Sequence, residues 1–283
     1  MPTERTGTQL VAKPWGRTDL RPWHAYHGDA AIGEVWFNRS GAPADSTLLL
    51  KLLFTTAPLS IQVHPSDAFA RSIGLAHGKS EAWYVLSALP HSRVALGLTR
   101  PLSPTQLRAA IEAGSIAELV QWHTVRSGDV ILVSPGTIHS IGPGLVIAEI
   151  QQRSAATFRL FDYGRTRELH TEDAVAAAGD EQLEPQPIQR KMTEARTLLL
   201  SSPHFVLERF ELLPGSSWEL AAGGETWLFM LAGHAQAGSI DWGTNESIFL
   251  QGDSMRIQVG PEGLQALAAY AGSQPDPNLL RQA

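Results

Sequence analysis

The sequence predicts an all-β fold with a few short helices, built as two β-barrel domains of which the second is degenerate. Runs rich in Val, Ile, Leu, Phe and Trp alternate with turn signals along all 283 residues, which include 25 Gly and 18 Pro. Many short strands separated by turns favour a sandwich or a barrel over a regular alternation of strands and helices. Examples of the expected strands are Thr47–Phe54, Ala82–Leu86, Val130–Val133, Leu145–Ile150, Thr157–Phe161, Phe205–Leu212 and Thr226–Leu231.

Capping residues predict four short helices between the strands. One helix, over Thr105–Ala113, begins after Ser103-Pro104 and ends at Gly114, because Pro is favoured in the first turn and Gly after the last one. The other three are expected to run from Ser66 through Arg71, over Ile116–Gln121 with Ser115 as the cap, and over Ala174–Ala178 after Thr171.

The two domains are expected to cover residues 1–180 and 190–283. The segment between them, Asp180–Gln189, is polar, contains two prolines and interrupts the apolar pattern. A short repeat supports duplication, because Glu81–Leu86 is echoed by Glu225–Met230. Chance similarity is the alternative, since Trp in a strand before a turn is ordinary core material.

The second domain is expected to bind no metal. No Gln-x-His precedes Glu225, and Met255 and Arg256 stand where a further His would be required. His234 has no neighbour at ligand spacing. If the domains are copies, only the first has kept the chemistry.

Composition excludes several classes of protein. The net charge is −6 with acids and bases interspersed, so neither nucleic acid nor an anionic membrane is an expected partner. The absence of Cys excludes disulfides, thiolate metal sites and a Cys nucleophile, which leaves His, carboxylate and amide oxygen as metal ligands. With a polar N-terminus and no apolar run near the roughly 20 residues of a membrane helix, a cytoplasmic protein is expected. The oligomeric state is left open.

Two strand segments place candidate ligands on one face. Gln62 and His64 alternate with apolar neighbours, as do Lys79 and Glu81 with small ones, so each pair shares a strand face. Such faces fit a barrel interior that carries ligands. The alternatives are a polar face exposed to solvent and an ordinary surface ion pair, which contributes little.

A third segment favours the metal-site interpretation. Gly128-Asp129 precedes an apolar strand, and Ser134-Pro135-Gly136-Thr137-Ile138 then leads to His139, a pattern typical of the second motif of cupin barrels. The predicted ligands are Gln62, His64, Glu81 and His139. Two imidazoles, one carboxylate and one amide suit one Zn²⁺ per chain and leave a position for substrate or water.

Two further charged residues interrupt apolar strands. Glu149 lies within Leu145–Ile150, and a buried acid needs either a partner or a function. Pairing with Arg159 or Lys79 and a direct catalytic role are both open. Arg159 lies between two apolar residues, so its guanidinium is expected to face the cavity, where a phosphate or an enediolate oxygen is a suitable partner.

Taken in order, the motifs resemble those of the type I mannose-6-phosphate isomerase family of the cupin superfamily, in its short bacterial form. The resemblance covers roughly residues 13–170. The segments that carry it are Lys13–Gly16, Gly33–Trp36, Gln62–Pro65, Gly78–Trp83, Pro135–Ser140, Glu149–Gln152, Arg159 and Asp162-Tyr163. It implies two cupin, jelly-roll-like domains and zinc ligands at the same four positions that spacing proposes.

The resemblance also implies an active-site lysine at Lys79 and an active-site arginine at Arg159. The chain departs from its longer relatives at Gly78, where they have His, and His77 is expected to point elsewhere. The implied reaction interconverts mannose 6-phosphate and fructose 6-phosphate through a cis-enediol. Lys79 and Glu149 are both candidates for the proton transfer.

Two other functions stay open at this point. An iron-dependent oxygenase could use His64, Glu81 and His139 as a two-His-one-carboxylate triad, which metal content and oxygen consumption would reveal. A sugar-phosphate-binding regulatory protein could keep the pocket without turnover, which an isomerase assay would reveal.

Overall fold

The structure is a computed structural model and describes residues 3–40, 46–178 and 186–283. Most of the described chain is β-strand, as the sequence predicts. The strands, in chain order, are β1 Thr3–Arg5, β2 Gly7–Asp19, β3 His27–Asn38, β4 Leu48–Phe54, β5 Ile61–Val63, β6 Glu81–Ala88, β7 Arg93–Leu98, β8 Val120–Thr124, β9 Val130–Val133, β10 His139–Ile141, β11 Leu145–Gln152, β12 Phe158–Phe161, β13 Arg190–Lys191, β14 Arg196–Ser201, β15 Phe205–Leu212, β16 Ser217–Ala222, β17 Thr226–Ala237, β18 Ile240–Gly243, β19 Ser247–Leu250, β20 Asp253–Ala271 and β21 Leu280–Gln282. The helices within these ranges are α1 Asp67–Ser72, α2 Pro104–Glu112, α3 Ile116–Leu119 and α4 Thr171–Ala177.

The strands form three sheets. A six-stranded sheet has the order β2-β3-β4-β11-β6-β9, and a five-stranded sheet has the order β12-β5-β10-β7-β8. A ten-stranded sheet contains β13 to β21 together with the N-terminal strand β1, which pairs antiparallel with β19. The first strand of the chain therefore belongs to the sheet of the C-terminal half.

Apolar clusters separate the structure into layers. One cluster fills the space between the six-stranded and five-stranded sheets, and another lies between the five-stranded sheet and the helices. The opposite face of the six-stranded sheet packs against the ten-stranded sheet in a cluster that draws on both halves of the chain. Because successive side chains in a strand alternate in direction, β4, β6 and β11 of the six-stranded sheet each contribute to two layers.

Two predicted caps are confirmed. Ser66 Oγ accepts a hydrogen bond from Phe69 N (3.2 Å) at the start of α1. Ser103 forms a capping box at the start of α2, in which its Oγ accepts from Gln106 N (3.3 Å) while the Gln106 side chain accepts from Ser103 N (2.9 Å).

The predicted helix Ile116–Gln121 is too long. Helix α3 ends at Leu119, because Val120 and Gln121 belong to β8 and Val120 pairs with Leu98 of β7. Ser115 occupies the N-cap position without forming a side-chain cap, and helix α4 has His170 rather than Thr171 at its N-cap. Tertiary strand pairing here overrides the local helical pattern.

The expected domain boundary lies partly outside the described residues, which omit residues 179–185. The division at 1–180 and 190–283 therefore stays a prediction. None of the helices in the described part of the chain combines the length and the apolarity needed to cross a bilayer.

Candidate metal centre and its cavity

Three of the predicted ligands lie together. His64 Nε2 is 3.3 Å from Glu81 Oε2, and His139 Nε2 is 3.3 Å from Glu81 Oε1. All three side chains are buried, and one possible ligand atom from each falls within 4.8 Å of the others. The described residues contain one such group. Glu81 begins β6, His139 begins β10, and His64 directly follows β5.

The strand pattern explains this convergence. Ile61 and Val63 point into the cluster beneath the helices, so Gln62 faces the opposite side, between the two sheets. His139 pairs in register with Gln62 across β10 and β5. Gly136, with φ near +84°, makes the turn that leads the chain into β10.

Both imidazoles are oriented with Nε2 toward Glu81. His64 Nδ1 donates to Ala156 O at 2.8 Å, and His139 Nδ1 donates to Thr137 O at 2.8 Å. A proton fixed on Nδ1 leaves the lone pair on Nε2 for a metal ion. Burial, reinforced by the Lys79 ammonium, lowers the pKa of His64 to about 3, and burial also lowers the pKa of His139. Both rings are therefore neutral at physiological pH, as metal ligation requires.

Unsatisfied polar atoms support a metal ion here. His64 Nε2 and both oxygens of Glu81 are buried and have no hydrogen-bond partner among the described residues. Lys79 Nζ lies 2.9 Å from Glu81 Oε2 as an ion pair without hydrogen-bond geometry. Burial opposes ionisation of Glu81, but the Lys79 ammonium holds the pKa of Glu81 well below its usual value. A carboxylate beside two neutral imidazoles fits a divalent cation.

Gln62 is adjacent to this group but is not arranged as a ligand. Its Nε2 lies 3.2 Å from His139 Nε2, and its Oε1 accepts a hydrogen bond from Ser60 Oγ at 3.1 Å. Rotating the amide by 180° would direct Oε1 toward the imidazoles, with Ser60 Oγ then accepting from Nε2. The ligand role of Gln62 stays a prediction.

A cavity of about 500 Å³ opens next to the group. Lys79, Glu149 and Arg159, which the sequence singled out, all line it together with Gln62. Six cationic side chains and two carboxylates lie in its wall, so the cavity suits a small, polar and anionic molecule.

The partner of Glu149 is Lys51. Lys51 Nζ lies 3.0 Å from Glu149 Oε2 and also donates to Gln151 Oε1 at 2.6 Å. The sequence-based alternative of a pairing with Arg159 or Lys79 was therefore wrong, because the register of β11 with β4 puts Glu149 directly opposite Lys51. Trp83 Nε1 donates to Glu149 Oε1 at 3.3 Å, and burial raises the pKa of Glu149 in spite of Lys51.

Arg159 faces the cavity as expected. Its neighbours Phe158 and Leu160 pack beneath the helices, and Arg159 pairs in register with Gln62. Its Nε is buried without a hydrogen-bond partner among the described residues. Burial lowers the pKa of Arg159, and nearby Arg167 adds to that effect.

Sequence reasoning missed five charged residues of the cavity wall, namely Lys13, Glu34, Lys51, Arg153 and Arg167. Lys51 had a detectable signal, because it is the single charge in the apolar strand β4. The same argument had selected Glu149. Lys13 and Glu34 lie in segments quoted for the family resemblance, and they form an ion pair at 3.1 Å.

Comparison with known sequences gives a consistent result, although no protein-family model matches the chain. Mannose-6-phosphate isomerase of Streptococcus mutans is 35% identical over 174 residues, which are 58% of this chain and 54% of that protein. Mannose-6-phosphate isomerase ManA of Bacillus subtilis is 36% identical over 135 residues, which are 45% of this chain and 42% of that protein. The chain thus spans about half the length of the curated relatives it matches.

Solved structures share the fold. The crystal structure of mannose 6-phosphate isomerase from Bacillus subtilis matches with a TM-score of 0.82 at 21% identity, covering 95% of this chain and 100% of that chain. An alanine variant of phosphomannose isomerase from Salmonella typhimurium matches with a TM-score of 0.72 at 13% identity, over 95% of this chain and 99% of that chain. These neighbours have the cupin fold, so the predicted fold class is confirmed. In sequence, the chain is similar to mannose-6-phosphate isomerases over about half of their length.

The structure gives a physical reason for Gly at position 78, where the sequence departs from the longer members of the family that it resembles. A Cβ at this position would lie 2.4 Å from Pro65 O and 2.6 Å from Asp67 N. Gly78 N also donates to Asp67 Oδ1 at 2.8 Å, which ties this segment to helix α1. A side chain at position 78 therefore requires α1 to move, and the neighbouring His77 is exposed.

Proposed function

We propose that the protein interconverts mannose 6-phosphate and fructose 6-phosphate, with one Zn²⁺ per chain held by Gln62, His64, Glu81 and His139. The observation that carries this proposal is the buried His-Glu-His group with unsatisfied ligand atoms beside a charged cavity. The names of the curated relatives supply the reaction and the substrate. The proposed substrate is accordingly a small hexose phosphate.

A zinc ion bound by these residues would supply Lewis-acid chemistry to the oxygens at C1 and C2 of the open-chain sugar. The side chains around the cavity would position the sugar and exclude water from the reacting carbons. Restricting the substrate in this way removes much of the entropic cost of reaching the transition state.

Glu149 is the better placed of the two candidates for moving the proton between C1 and C2. It lines the cavity, and its raised pKa brings it closer to the value at which a carboxylate accepts and returns a proton efficiently. Lys51 and Trp83 hold its oxygens in position. The ammonium of Lys79, paired with Glu81, would stabilise negative charge developing on the sugar oxygens.

Arg159 would stabilise the charge that develops on the substrate as the cis-enediol forms. Its Nε has no partner in the described chain, so the guanidinium keeps a donor for a substrate oxygen. A positive charge in a partly dry cavity interacts more strongly than one in water.

The test is an assay of the zinc-loaded protein against a panel of hexose and pentose phosphates, in parallel with measurements of metal content and oxygen consumption. We expect isomerisation of mannose 6-phosphate with the highest kcat/KM of the panel and no oxygen uptake. Full zinc occupancy without turnover of any sugar phosphate would contradict the proposal and favour a binding protein. Oxygen uptake with bound iron would favour the oxygenase.

A further inference from the structure

The cavity contains more cationic groups than its acids neutralise. Six cationic side chains line it, namely Lys13, Lys51, Lys79, Arg153, Arg159 and Arg167. Four of them are paired with carboxylates: Lys13 with Glu34, Lys51 with Glu149, Lys79 with Glu81 and Arg167 with Asp162. Arg153 and Arg159 are the two without an ion pair among the described residues.

Arg153 has the larger number of unsatisfied donors. Its Nε and Nη2 are buried and have no hydrogen-bond partner within the described part of the chain. Its backbone is fixed, because Arg153 N donates to Thr47 O at 2.7 Å. Burial lowers the pKa of Arg153, with Glu225 opposing this effect and Arg39 adding to it. Arg153 is half-buried, and buried donors without a partner are costly, so the site is built for an anion that the protein itself does not provide.

Glu225 does not fill that role. Its carboxylate already accepts hydrogen bonds from Thr47 N, Thr47 Oγ1, Leu48 N and Trp227 Nε1, at 2.6 to 2.9 Å. Glu225 lies close enough to raise the pKa of Arg153, but no nitrogen of Arg153 lies within ion-pair distance of the Glu225 carboxylate. The guanidinium of Arg153 is thus left to the cavity.

The position of Arg153 suits the end of the substrate that does not react. Glu149 and Gln151 point into the cavity from β11, and Arg153 continues this alternation just beyond the strand. Gln151 is directly opposite Glu81 across β11 and β6, so it marks the metal end of the cavity. At about 3.3 Å per residue, Arg153 lies roughly 7 Å further along the chain. Arg159, by contrast, pairs in register with Gln62 beside the metal group.

We infer that Arg153 binds the phosphate of the substrate and thereby determines the preference for a phosphorylated over a free sugar. This inference rests on the proposed function. The planar guanidinium can donate two parallel hydrogen bonds to phosphate oxygens, a geometry that lysine cannot reproduce. In this arrangement Arg153 contacts the phosphate, and Arg159 contacts the oxygens at the reacting carbons.

The experiment compares the parent with Arg153→Gln, using mannose 6-phosphate and free mannose as substrates and inorganic phosphate as a competitive inhibitor. We expect KM for mannose 6-phosphate and the inhibition constant of phosphate to rise by about 10- to 100-fold, because bonds to a charged partner are lost. The kcat for mannose 6-phosphate should change by less than about threefold, and so should kcat/KM for free mannose, which has no phosphate. Arg153→Lys keeps the charge without the fork and should fall between the two.

Arg126→Gln is the matched control, because it removes the same charge from an exposed residue outside the cavity. Melting temperature and zinc content of each variant establish that the fold and the metal site are intact. Unchanged KM and phosphate inhibition in folded Arg153→Gln would overturn the inference. If the parent does not isomerise sugar phosphates, the proposed function fails. Calorimetric titration with inorganic phosphate then still decides the inference, because equal binding by parent and variant overturns it.

Discussion

Individual charged residues in this protein owe their positions to strand alternation. In β4, the apolar residues Leu50 and Leu52 join the core against the ten-stranded sheet, which turns Lys51 toward the cavity. The same alternation in β11 places Glu149 opposite Lys51. Each charged group is therefore held by a strand whose other face is anchored in the core, and this keeps the cavity groups at defined separations.

At the scale of single ligands, we expect His64→Ala and His139→Ala to lose both zinc and activity. Purified parent should contain close to one zinc per chain, and the remaining ligands cannot complete the coordination once an imidazole is removed. Zinc content measured by inductively coupled plasma mass spectrometry, together with the isomerase assay, checks this prediction. His77→Ala, at an exposed neighbouring position, is the control and should retain zinc. Full occupancy in both ligand variants would contradict the assignment.

Removal of Arg159 should impair turnover while leaving the metal in place. Loss of a donor that stabilises transition-state charge commonly lowers kcat by about 10²- to 10³-fold. Arg159→Ala should therefore retain zinc and the parental melting temperature but turn over more slowly by a factor of that order. A loss seen mainly as a raised KM would mean that Arg159 grips the substrate instead. If Arg159→Ala kept both the kcat and the KM of the parent, Arg159 would have a structural role only.

The residue scale also shows what the sequence could and could not predict. Period-two alternation correctly predicted that Gln62 and Arg159 face inward, because that property is local. The partner of Glu149 could not be predicted, since Lys51 is brought to it by the register of two strands about 100 residues apart. The ligand and catalytic roles themselves stay predictions.

Strand β4 is held at its start by a residue of the C-terminal half. Glu225, buried before β17, accepts hydrogen bonds from Thr47 N, Thr47 Oγ1 and Leu48 N, and so fixes the end of the strand that carries Lys51. In the predicted repeat, Glu225 corresponds to Glu81. If the halves are copies, the position that carries Glu81 of the metal group in the first half carries Glu225 in the second, where it joins the two halves.

Replacing Glu225 should therefore destabilise the protein. Hydrogen bonds to a charged acceptor contribute about 1.5–3 kcal/mol each, and their donors would be left buried. We expect Glu225→Ala to lower the free energy of unfolding by about 3–5 kcal/mol, and Glu225→Gln by less, since its amide oxygen still accepts. Urea denaturation measures both. The exposed Glu219→Ala is the control, and an equal effect of the two alanine variants would refute this role.

The segment before β6 is fixed by close packing against α1. Because a Cβ at Gly78 would meet the backbone of Pro65 and Asp67, we expect Gly78→Ala to cost about 1–3 kcal/mol of stability. It should also lower activity, since Lys79 and Glu81 follow directly. Gly223→Ala is the matched control, because an added Cβ there has no heavy atom within 4 Å. Thermal melting that does not distinguish the two variants would show that α1 adjusts freely.

The whole molecule depends on a core that both halves build. Phe37 and Phe54 from the first half share this cluster with Trp227, Phe229 and Phe249 from the second. In addition, β1 of the N-terminus completes the ten-stranded sheet by pairing with β19. Removing either half would expose a large apolar face to water, at a cost that scales with its area.

A fragment of residues 1–178 should accordingly fail to show a cooperative thermal transition, although it contains every predicted site residue. Circular dichroism during heating checks this, with the full chain as reference. A fragment that melts cooperatively near the parental temperature would mean that the first half folds alone. The sequence predicted the fold class and seven of the strands. It did not predict the shared core or the pairing of β1 with β19, because both depend on contacts between distant segments.

The most direct test of the central claim is nuclear magnetic resonance of fructose 6-phosphate in heavy water with the zinc-loaded protein. The account predicts that mannose 6-phosphate accumulates to equilibrium, that solvent deuterium enters at the reacting carbons as the cis-enediol exchanges its proton, and that His64→Ala abolishes both. Zinc-loaded, folded protein that produces neither mannose 6-phosphate nor exchange would contradict it.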